Sequence, residues 1–441
     1  MIKVLFVKPP FNPHVFVRRF ACCEPYEFAF LAAGIRDIAH VAVVDMRLDK
    51  RTFASILNDE QPDIIGFTAL TMDVNTVRSL ARTVGRLRPQ TVTCVGGEHA
   101  TFLPKDFSAD VDYIFTHGSF VSFRKFVSAI AVGALPLSQI ITGAPAHTEL
   151  SVQPDRSAYR RHMSSYVFGP AQPVGLWHSS SGCPHNCNFC SIITKDPKFR
   201  TVDIDASIKN LSNTAAADIL SIDAHALANI KHAQELYREL ANARLGKRLM
   251  ISTRSDTLAE HRQILPVLRD GGVSVVSMGL EAIDDNRLAT HNKGASAAEG
   301  RLAVKLLREH DILVRANFII SPDFRAADFQ RLTAAIQEMG VDFPVFQILT
   351  PLPGTKLYDE LAPRMMTRNY DYFDLSHSVV QTDIDFREFH EHFRRLFKAN
   401  YSLGQLWRLA RKLPLAHSLR GAGIALMSFS EMRYDEATGY A

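Results

Sequence analysis

Short apolar runs alternate with helix-length amphipathic stretches along the first 135 residues. The runs are rich in β-branched residues and apolar throughout, which predicts strands of a parallel sheet that is buried on both faces. The stretches between them predict covering helices, so residues 1–135 are expected to form a doubly wound α/β domain. The predicted strands are IKVLFV, HVAVVD, DIIGFTAL, TVTCVGG and DYIFTHG, and the predicted helices include YEFAFLAAGIRDIA, TFASILNDE and VNTVRSLARTVGRL.

The same alternation resumes farther along the chain. Residues 136–172 are rich in Pro, Ala and Ser and predict a linker. Over residues 173–364, six more strands separated by helix-length stretches predict a partial (β/α)6 barrel, whose active site would lie at the C-terminal ends of its strands. Residues 365–441 are expected to be mainly helical. The predicted barrel strands are VGLWHS, DILSID, RLMISTR, VSVVSMGLE, VRANFIIS and FPVFQILT.

Composition limits the function. The chain has 441 residues, of which 46% are hydrophobic and 22% charged, enough for two globular cores. Its formal charge of +4 is evenly spread, without basic blocks that interleave with aromatics, so no nucleic-acid partner is expected. The first apolar run stops at a Pro pair and predicts neither a signal peptide nor a membrane span. We therefore expect a cytoplasmic protein.

Cysteines concentrate in one loop. Of six in the chain, Cys183, Cys187 and Cys190 fall in the stretch GCPHNCNFC directly after the first barrel strand. A structural zinc site needs four ligands, and His185 inside the loop is a candidate for the fourth. Three thiolates suit a [4Fe–4S] cluster better, because they leave one iron with open coordination sites. The spacing therefore favours a cluster over zinc.

The spacing C-x-x-x-C-x-x-C resembles that of the radical S-adenosylmethionine (SAM) family. GLWHSSSGCPHNCNFC, ISTRSDTL, VSMGLEAIDDNRLATHNKG and ILTPLPGTKLYDEL occur in the order found in radical SAM enzymes with an N-terminal cobalamin-binding domain. PDIIGFTALT and CVGGEHATFLP are similar to that domain, so the resemblance spans residues 1–375. It implies a flavodoxin- or Rossmann-like first domain, a radical SAM barrel, and cleavage of SAM at the cluster to a 5′-deoxyadenosyl radical.

The resemblance also implies roles for residues of the barrel. The three loop cysteines would bind the [4Fe–4S] cluster and leave one iron for SAM. At the ends of the next three barrel strands, Asp223, Arg254 and Glu281 would hold SAM. The alternative for Arg254 is a purely structural ion pair with Asp256 or Glu281.

Cobalamin would lie at the strand ends of the first domain. The implied contacts are Thr68, Gly96, Gly97 and Thr101, although the glycines could instead serve only tight turns. The chain departs from the family pattern in three places. It lacks the Asp-x-His-x-x-Gly that offers a lower cobalt ligand, it has THGSF after the fifth strand, and it has ISPDFRAADF where a GxPxET-like turn is usual. A cofactor-free domain therefore stays as the alternative to bound cobalamin.

The segment 392–430 is basic on one side and apolar on the other. It holds seven Arg and Lys residues and no acidic residue, and its predicted apolar face includes Phe393, Leu396, Phe397, Leu403, Leu406 and Trp407. Such a helix can lie on an anionic membrane surface, which would bring the enzyme to a hydrophobic substrate. The alternative is a helical cap that packs on the barrel with its basic side in water.

Two classes of reaction follow from the resemblance. The first is cobalamin-dependent methylation of an unactivated carbon on a hydrophobic small molecule. The second is a radical oxidation, cyclisation or rearrangement of a tetrapyrrole- or isoprenoid-type substrate, as in the similar anaerobic magnesium-protoporphyrin monomethyl ester cyclases. Either would need a reductant partner such as flavodoxin or ferredoxin. A non-catalytic scaffold is a third interpretation, and the open cluster site argues against it.

Overall fold

The computed structural model describes residues 1–12, 14, 21–143, 150, 152–196, 198–401, 409, 412–414, 417–418 and 420. Its elements belong to two α/β regions that are joined by a mostly irregular segment. The elements of the first region are β1 Ile2–Lys8, β2 Ala21–Cys22, α1 Tyr26–Ile35, β3 Ala39–Asp45, α2 Phe53–Glu60, β4 Ile64–Thr68, α3 Val74–Leu87, β5 Val92–Gly96, α4 Glu98–Phe102, β6 Tyr113–Thr116, α5 Phe120–Ala131 and β7 Ile140–Thr142.

The second region follows. Its elements are β8 Val167–Phe168, β9 Val174–Trp177, β10 Ser180–Ser181, α6 Ile192–Lys195, β11 Arg200–Thr201, α7 Ile204–Ser212, β12 Asp218–Ser221, α8 Ile230–Ala243, β13 Arg248–Thr253, α9 Ser255–Glu260, α10 Leu265–Asp270, β14 Val273–Glu281, α11 Asp285–Thr290, α12 Ala297–Glu309, β15 Leu313–Ile320, α13 Ala326–Met339, β16 Phe343–Ile348, α14 Lys356–Leu361 and α15 Phe386–Asn400.

The first sheet is parallel and has the strand order β3-β1-β4-β5-β6-β7. Its first five strands repeat the flavodoxin-like order, which confirms the predicted doubly wound fold. Along β1, Val4 and Phe6 pack into the core on one face, whereas Leu5 and Val7 pack into the core on the other. The sheet is thus buried on both sides, as its unbroken apolar strands predicted. The short strand β7 lies in the segment predicted to be a linker.

The second sheet is an open half-barrel. Its parallel strands follow chain order, β9-β12-β13-β14-β15-β16, and all six were predicted from the sequence. Alternate residues such as Ile251, Val276 and Val314 pack outward against the helices. Their neighbours along each strand face the interior, because side chains alternate between the two faces of a strand. The C-terminal ends of the six strands therefore surround one opening.

A buried carboxylate joins the two regions. Glu24 follows β2, and its oxygens accept hydrogen bonds from Arg156 Nε at 2.9 Å, from Tyr159 Oη at 2.8 Å and from the backbone N–H of Leu176 at 2.7 Å. Leu176 lies in β9, the first strand of the half-barrel. The first domain is therefore fixed directly to the strand from which the cysteine loop departs.

The apolar face of helix α15 packs against the half-barrel and is not exposed to solvent. Phe393 and Leu396 belong to the barrel core, and Leu396 is 1% exposed. Lys412 pairs with Asp342 at 3.0 Å, and Arg420 donates to the carbonyls of two linker residues. The expectation that Phe393 and Leu396 face a membrane is therefore wrong, because the half-barrel already covers them. Leu403, Leu406 and Trp407 lie outside the described residues, and no described helix is long and apolar enough to cross a bilayer.

If α15 is part of the barrel core, Leu396→Ala should destabilise the protein by about 2–5 kcal/mol, because it removes buried methyl groups and leaves a cavity. Lys398→Ala, an exposed position on the same helix, is the matched control and should change stability by less than about 0.5 kcal/mol. Denaturant unfolding followed by circular dichroism measures both variants. Equal effects would show that the apolar face of α15 is not buried in solution.

Candidate active site

The cysteine loop leaves β9 and ends at α6. Its conformation requires glycine at Gly182, where φ is +75° and a Cβ atom would lie 2.3 Å from the carbonyl oxygen of Lys198. Cys183, Cys187 and Cys190 are all partly exposed, whereas Cys94 is buried in the first sheet. The structure therefore presents three accessible thiols together at the C-terminal end of a barrel strand.

The donor set fits an iron–sulfur cluster better than zinc. No three His, Cys, Asp or Glu side chains converge on a single-ion site anywhere in the described part of the chain. The ring of His185 packs against that of His225 at 5.5 Å between ring centroids. In a cubane each cysteine binds a different iron, so the thiols need not converge on one point as zinc ligands do.

Burial disfavours the charged form of two of the loop thiols. It raises the pKa of Cys190 to about 11. Burial also raises the pKa of Cys187, although the positive charges of Lys293 and Arg254 oppose that rise. Binding of a cluster by Cys187 and Cys190 would therefore have to displace their protons.

Asp223 holds the strand that leads into the loop. Its carboxylate accepts from five donors at 2.5 to 3.1 Å, which are the backbone N–H and hydroxyl groups of Ser179 and Ser180 and the hydroxyl of Ser221; the N–H of Ser179 contacts both oxygens. A carboxylate offers roughly four lone pairs, so these donors saturate it. Its geometry supports positioning of the loop more than the direct contact with SAM that the sequence suggested.

Arg254 brings a positive charge to the loop. Its guanidinium pairs with Asp256 at 2.6 Å and donates to the backbone carbonyl of Lys293. The remaining terminal nitrogen, Nη1, lies 3.8 Å from Cys187 Sγ. The ion pair with Asp256 is the structural alternative that the sequence left open, and the contact with sulfur also places Arg254 beside a predicted cluster ligand. Donors and cations next to cluster sulfurs are among the groups that set the reduction potential.

Glu281 and Lys293 form a buried ion pair at the same end of the barrel. Lys293 Nζ lies 2.9 Å from Glu281 Oε1, and both side chains are less than 9% exposed. Glu281 adopts a left-handed backbone with φ of +62° beside a register shift in β14, which is unusual for a residue other than glycine. A Cβ at Gly279 would lie only 1.9 Å from Glu281 Oε1, so the Gly-Leu-Glu sequence is needed to seat this carboxylate. Lys293 was missed by the sequence analysis, although it stands in the quoted stretch ATHNKG.

The segment after β14 anchors the loop from the other side. Asn188 Nδ2 donates to the carbonyl of Thr290 at 2.9 Å, and the backbone N–H of Asn188 donates to that of His291 at 3.3 Å. The rings of Phe189 and His291 pack edge to face at 5.7 Å. The cysteine loop is therefore held between Asp223 on one side and residues 290–293 on the other.

The four residues predicted to contact cobalamin meet at one edge of the first sheet. Thr68 and Gly96 end neighbouring strands, β4 and β5. Gly97 has φ of +104°, and a Cβ there would lie 2.7 Å from the carbonyl oxygen of Ala69. Thr101 accepts from the N–H of His117 and donates to the carbonyl of Gly97. The space that a side chain at Gly97 would need is filled by Ala69 and Thr68, so this glycine serves a tight turn, as the alternative interpretation holds. The four residues nevertheless lie at the C-terminal strand ends, where ligands bind to doubly wound sheets.

This edge of the first sheet touches the cysteine loop directly. Glu98, the first residue of α4, accepts a hydrogen bond of 2.5 Å from the hydroxyl of Ser191, which follows Cys190. No local sequence pattern predicts this contact, because the two residues lie 93 positions apart. It joins the two predicted cofactor sites.

Family models match both regions. The B12 binding domain model covers residues 15–119, and the radical SAM superfamily model covers residues 177–336. The chain belongs to the radical SAM enzymes with an N-terminal cobalamin-binding domain. Its cofactors are accordingly a [4Fe–4S] cluster, SAM and cobalamin.

Curated relatives include methylases and a cyclase. The chain is 25% identical to the hopanoid C-3 methylase of Methylococcus capsulatus, over 95% of this chain and 85% of that protein. It is 24% identical to the anaerobic magnesium-protoporphyrin IX monomethyl ester cyclase of Rubrivivax gelatinosus, over 80% of this chain and 68% of that one.

Solved structures share the fold. The radical SAM methyltransferase TsrM from Kitasatospora setae, with cobalamin and a [4Fe–4S] cluster bound, superposes with a TM-score of 0.64 at 17% identity, over 100% of this chain and 90% of TsrM. The cobalamin-dependent radical SAM enzyme OxsB gives a TM-score of 0.72 at 13% identity, over 98% of this chain and 72% of OxsB.

If the loop thiols bind the cluster, alanine at Cys183, Cys187 and Cys190 together should abolish bound iron and the visible absorption of the reconstituted protein. Cys94→Ala is the matched control, because the buried Cys94 thiol donates to the carbonyl of Ile65 inside the first sheet. It should lose packing stability and keep its iron. Retention of iron by the triple variant contradicts the assignment.

Proposed function

We propose that this enzyme is a cobalamin-dependent methyltransferase that methylates an unactivated carbon of a hydrophobic small molecule. One observation carries the proposal: the hydrogen bond between Glu98 and Ser191 sets the cobalamin edge of the first sheet against the cysteine loop. When bound, the cluster delivers the electron that cleaves SAM, and cobalamin carries the methyl group. Adjacent sites suit a reaction in which both cofactors act on one substrate.

The chain's own residues would organise these two sites. Asp223 fixes the start of the loop, while Arg254 and Lys293 place positive charge beside Cys187. The half-barrel below the loop has an interior that contains apolar side chains, so the substrate would react away from bulk water. These roles are orientation and exclusion of water.

Glu281 suits a contact with SAM better than Asp223 does. Its Oε1 pairs with Lys293, whereas its Oε2 has no hydrogen-bond partner among the described residues. A carboxylate with one oxygen held and the other available can accept a hydrogen bond from an ammonium group. We therefore assign Glu281, and not Asp223, to the amino end of SAM.

Glu281→Gln should weaken SAM binding by about tenfold or more, because the charge-assisted hydrogen bond becomes neutral. Its iron content should stay at the wild-type value, since Glu281 is not a cluster ligand. Glu309→Gln, at the exposed end of α12, serves as the control and should change neither quantity. Equilibrium dialysis of the reconstituted proteins with labelled SAM measures the affinity, and an unchanged affinity would remove Glu281 from the site.

An anaerobic assay of the reaction products distinguishes methyl transfer from other radical reactions. The reconstituted enzyme receives SAM, a reductant and hydroxocobalamin, and mass spectrometry identifies the nucleoside products. Methyl transfer predicts both S-adenosylhomocysteine and 5′-deoxyadenosine. The cyclase relatives favour a second candidate, a radical oxidation or cyclisation, and 5′-deoxyadenosine alone would support that candidate instead.

Peripheral membrane contact stays a proposal for residues 401–430, since α15 itself is covered by the half-barrel. It rests on the basic and apolar sequence pattern there. Intact enzyme should then sediment with anionic vesicles at low salt and not at high salt, because salt screens the surface potential. Failure to sediment with anionic or neutral vesicles would exclude this contact.

A further inference from the structure

Arg315 is a deep arginine that has no acidic partner among the described residues. Its Nη1 donates to Ser277 Oγ and to Asn317 Oδ1, both at 2.9 Å. Its Nε and Nη2 make no hydrogen bond, and no carboxylate lies within ion-pair distance among the described residues. Other arginines with little exposed surface are each paired with a carboxylate; they are Arg47, Arg156 and Arg254.

The Arg315 side chain faces the interior of the half-barrel. Along β15, Val314, Ala316 and Phe318 belong to the outer core between sheet and helices. Alternation places Arg315 and Asn317 on the opposite, inner face. Their hydrogen bonds to each other and to Ser277 agree with that placement.

A guanidinium in this position is costly. It stays charged in proteins, although burial lowers the pKa of Arg315. An unpaired buried charge destabilises a protein unless other groups compensate for it. The ring of Phe168, whose centroid lies 5.5 Å from the guanidinium carbon, compensates only in part. The Nε and Nη2 groups together form the fork with which arginine binds a carboxylate or phosphate in two parallel hydrogen bonds.

The register of the sheet shows how far Arg315 lies below Glu281 along the strands. Arg315 lies beside Ser277, and Glu281 ends the same strand four residues farther on. At about 3.3 Å per residue, the two levels are roughly 13 Å apart along β14. Between them, strand alternation turns Gly279, Asn317 and Val345 inward, whereas Met250 and Val275 lie at the level of Leu313, two residues below Arg315.

We propose that Arg315 binds an anionic group, a carboxylate or a phosphate, at the buried end of the substrate. The body of that substrate is apolar, as the proposed function requires, and spans the roughly 13 Å between Arg315 and the level of Glu281. This inference rests on the proposed function in two respects, which are that the substrate is hydrophobic and that its reacting end lies at the cysteine loop. It adds an acidic terminus to the hydrophobic substrate class.

The test measures binding without turnover. Full-length enzyme, loaded with cluster and cobalamin but given neither SAM nor reductant, is titrated calorimetrically with octanoate, octyl phosphate and octan-1-ol. The neutral alcohol controls for the apolar chain, and the two anions distinguish carboxylate from phosphate. Wild-type enzyme should bind at least one anion about tenfold or more tightly than the alcohol, because the paired hydrogen bonds are charge-assisted.

Arg315→Met should abolish this preference and leave octan-1-ol binding unchanged. Arg248→Met is the matched control, because Arg248 belongs to the same sheet and is already paired with Asp218 at 2.8 Å. If Arg315→Met does not fold, Arg315→Gln removes the charge while keeping a hydrogen-bond donor. Arg315→Lys should keep part of the preference.

Two results overturn the proposal: neither anion binds the wild type more tightly than the alcohol, or the preference survives removal of the Arg315 charge. The assay involves no SAM cleavage, so its outcome is independent of the methyl-transfer measurement. Methyl transfer without anion binding would contradict only the role of Arg315. Anion binding without methyl transfer would contradict only the methyltransferase assignment.

Discussion

The cysteine loop depends on one buried carboxylate. The carboxylate of Asp223 accepts hydrogen bonds from Ser179, Ser180 and Ser221. These hydrogen bonds, and not a cation, compensate for the burial of the carboxylate. Moving the loop would leave a buried charge and several backbone N–H groups unsatisfied, which is costly. This constraint fixes the thiols relative to the barrel even before any cluster is present.

Further polar contacts connect the first domain to the half-barrel and the cysteine loop. Glu24 hydrogen-bonds the first domain to β9, and Glu98 hydrogen-bonds the predicted cobalamin edge of that domain to Ser191, beside the third cysteine. Lys293 and Arg254 add positive charge at Cys187. The two cofactor regions are thus linked by direct polar contacts rather than by the chain alone. A shift of either domain would alter the geometry of the other's site.

The sequence predicted features that are local and periodic. Eleven strands follow from apolar runs, and the three cysteines follow from their spacing, because neighbours in sequence carry both signals. β7 was missed because it is three residues long with two exposed side chains. The contact of Glu98 with Ser191 was missed because no local pattern reports on partners distant in sequence. The amphipathic pattern of α15 was correct, but a pattern does not say whether a membrane or a barrel covers the apolar side.

The measurement that tests this account most directly compares Asp223→Asn with wild type for both iron content and SAM affinity after anaerobic reconstitution. The amide replaces an acceptor oxygen by a donor that faces the N–H and hydroxyl groups of Ser179 and Ser180. If Asp223 positions the loop, the variant should fold, hold much less iron and lose the remaining cluster faster to a chelator. A variant with a full, stable cluster and only weakened SAM binding would contradict the account, because Asp223 would then be a ligand of SAM.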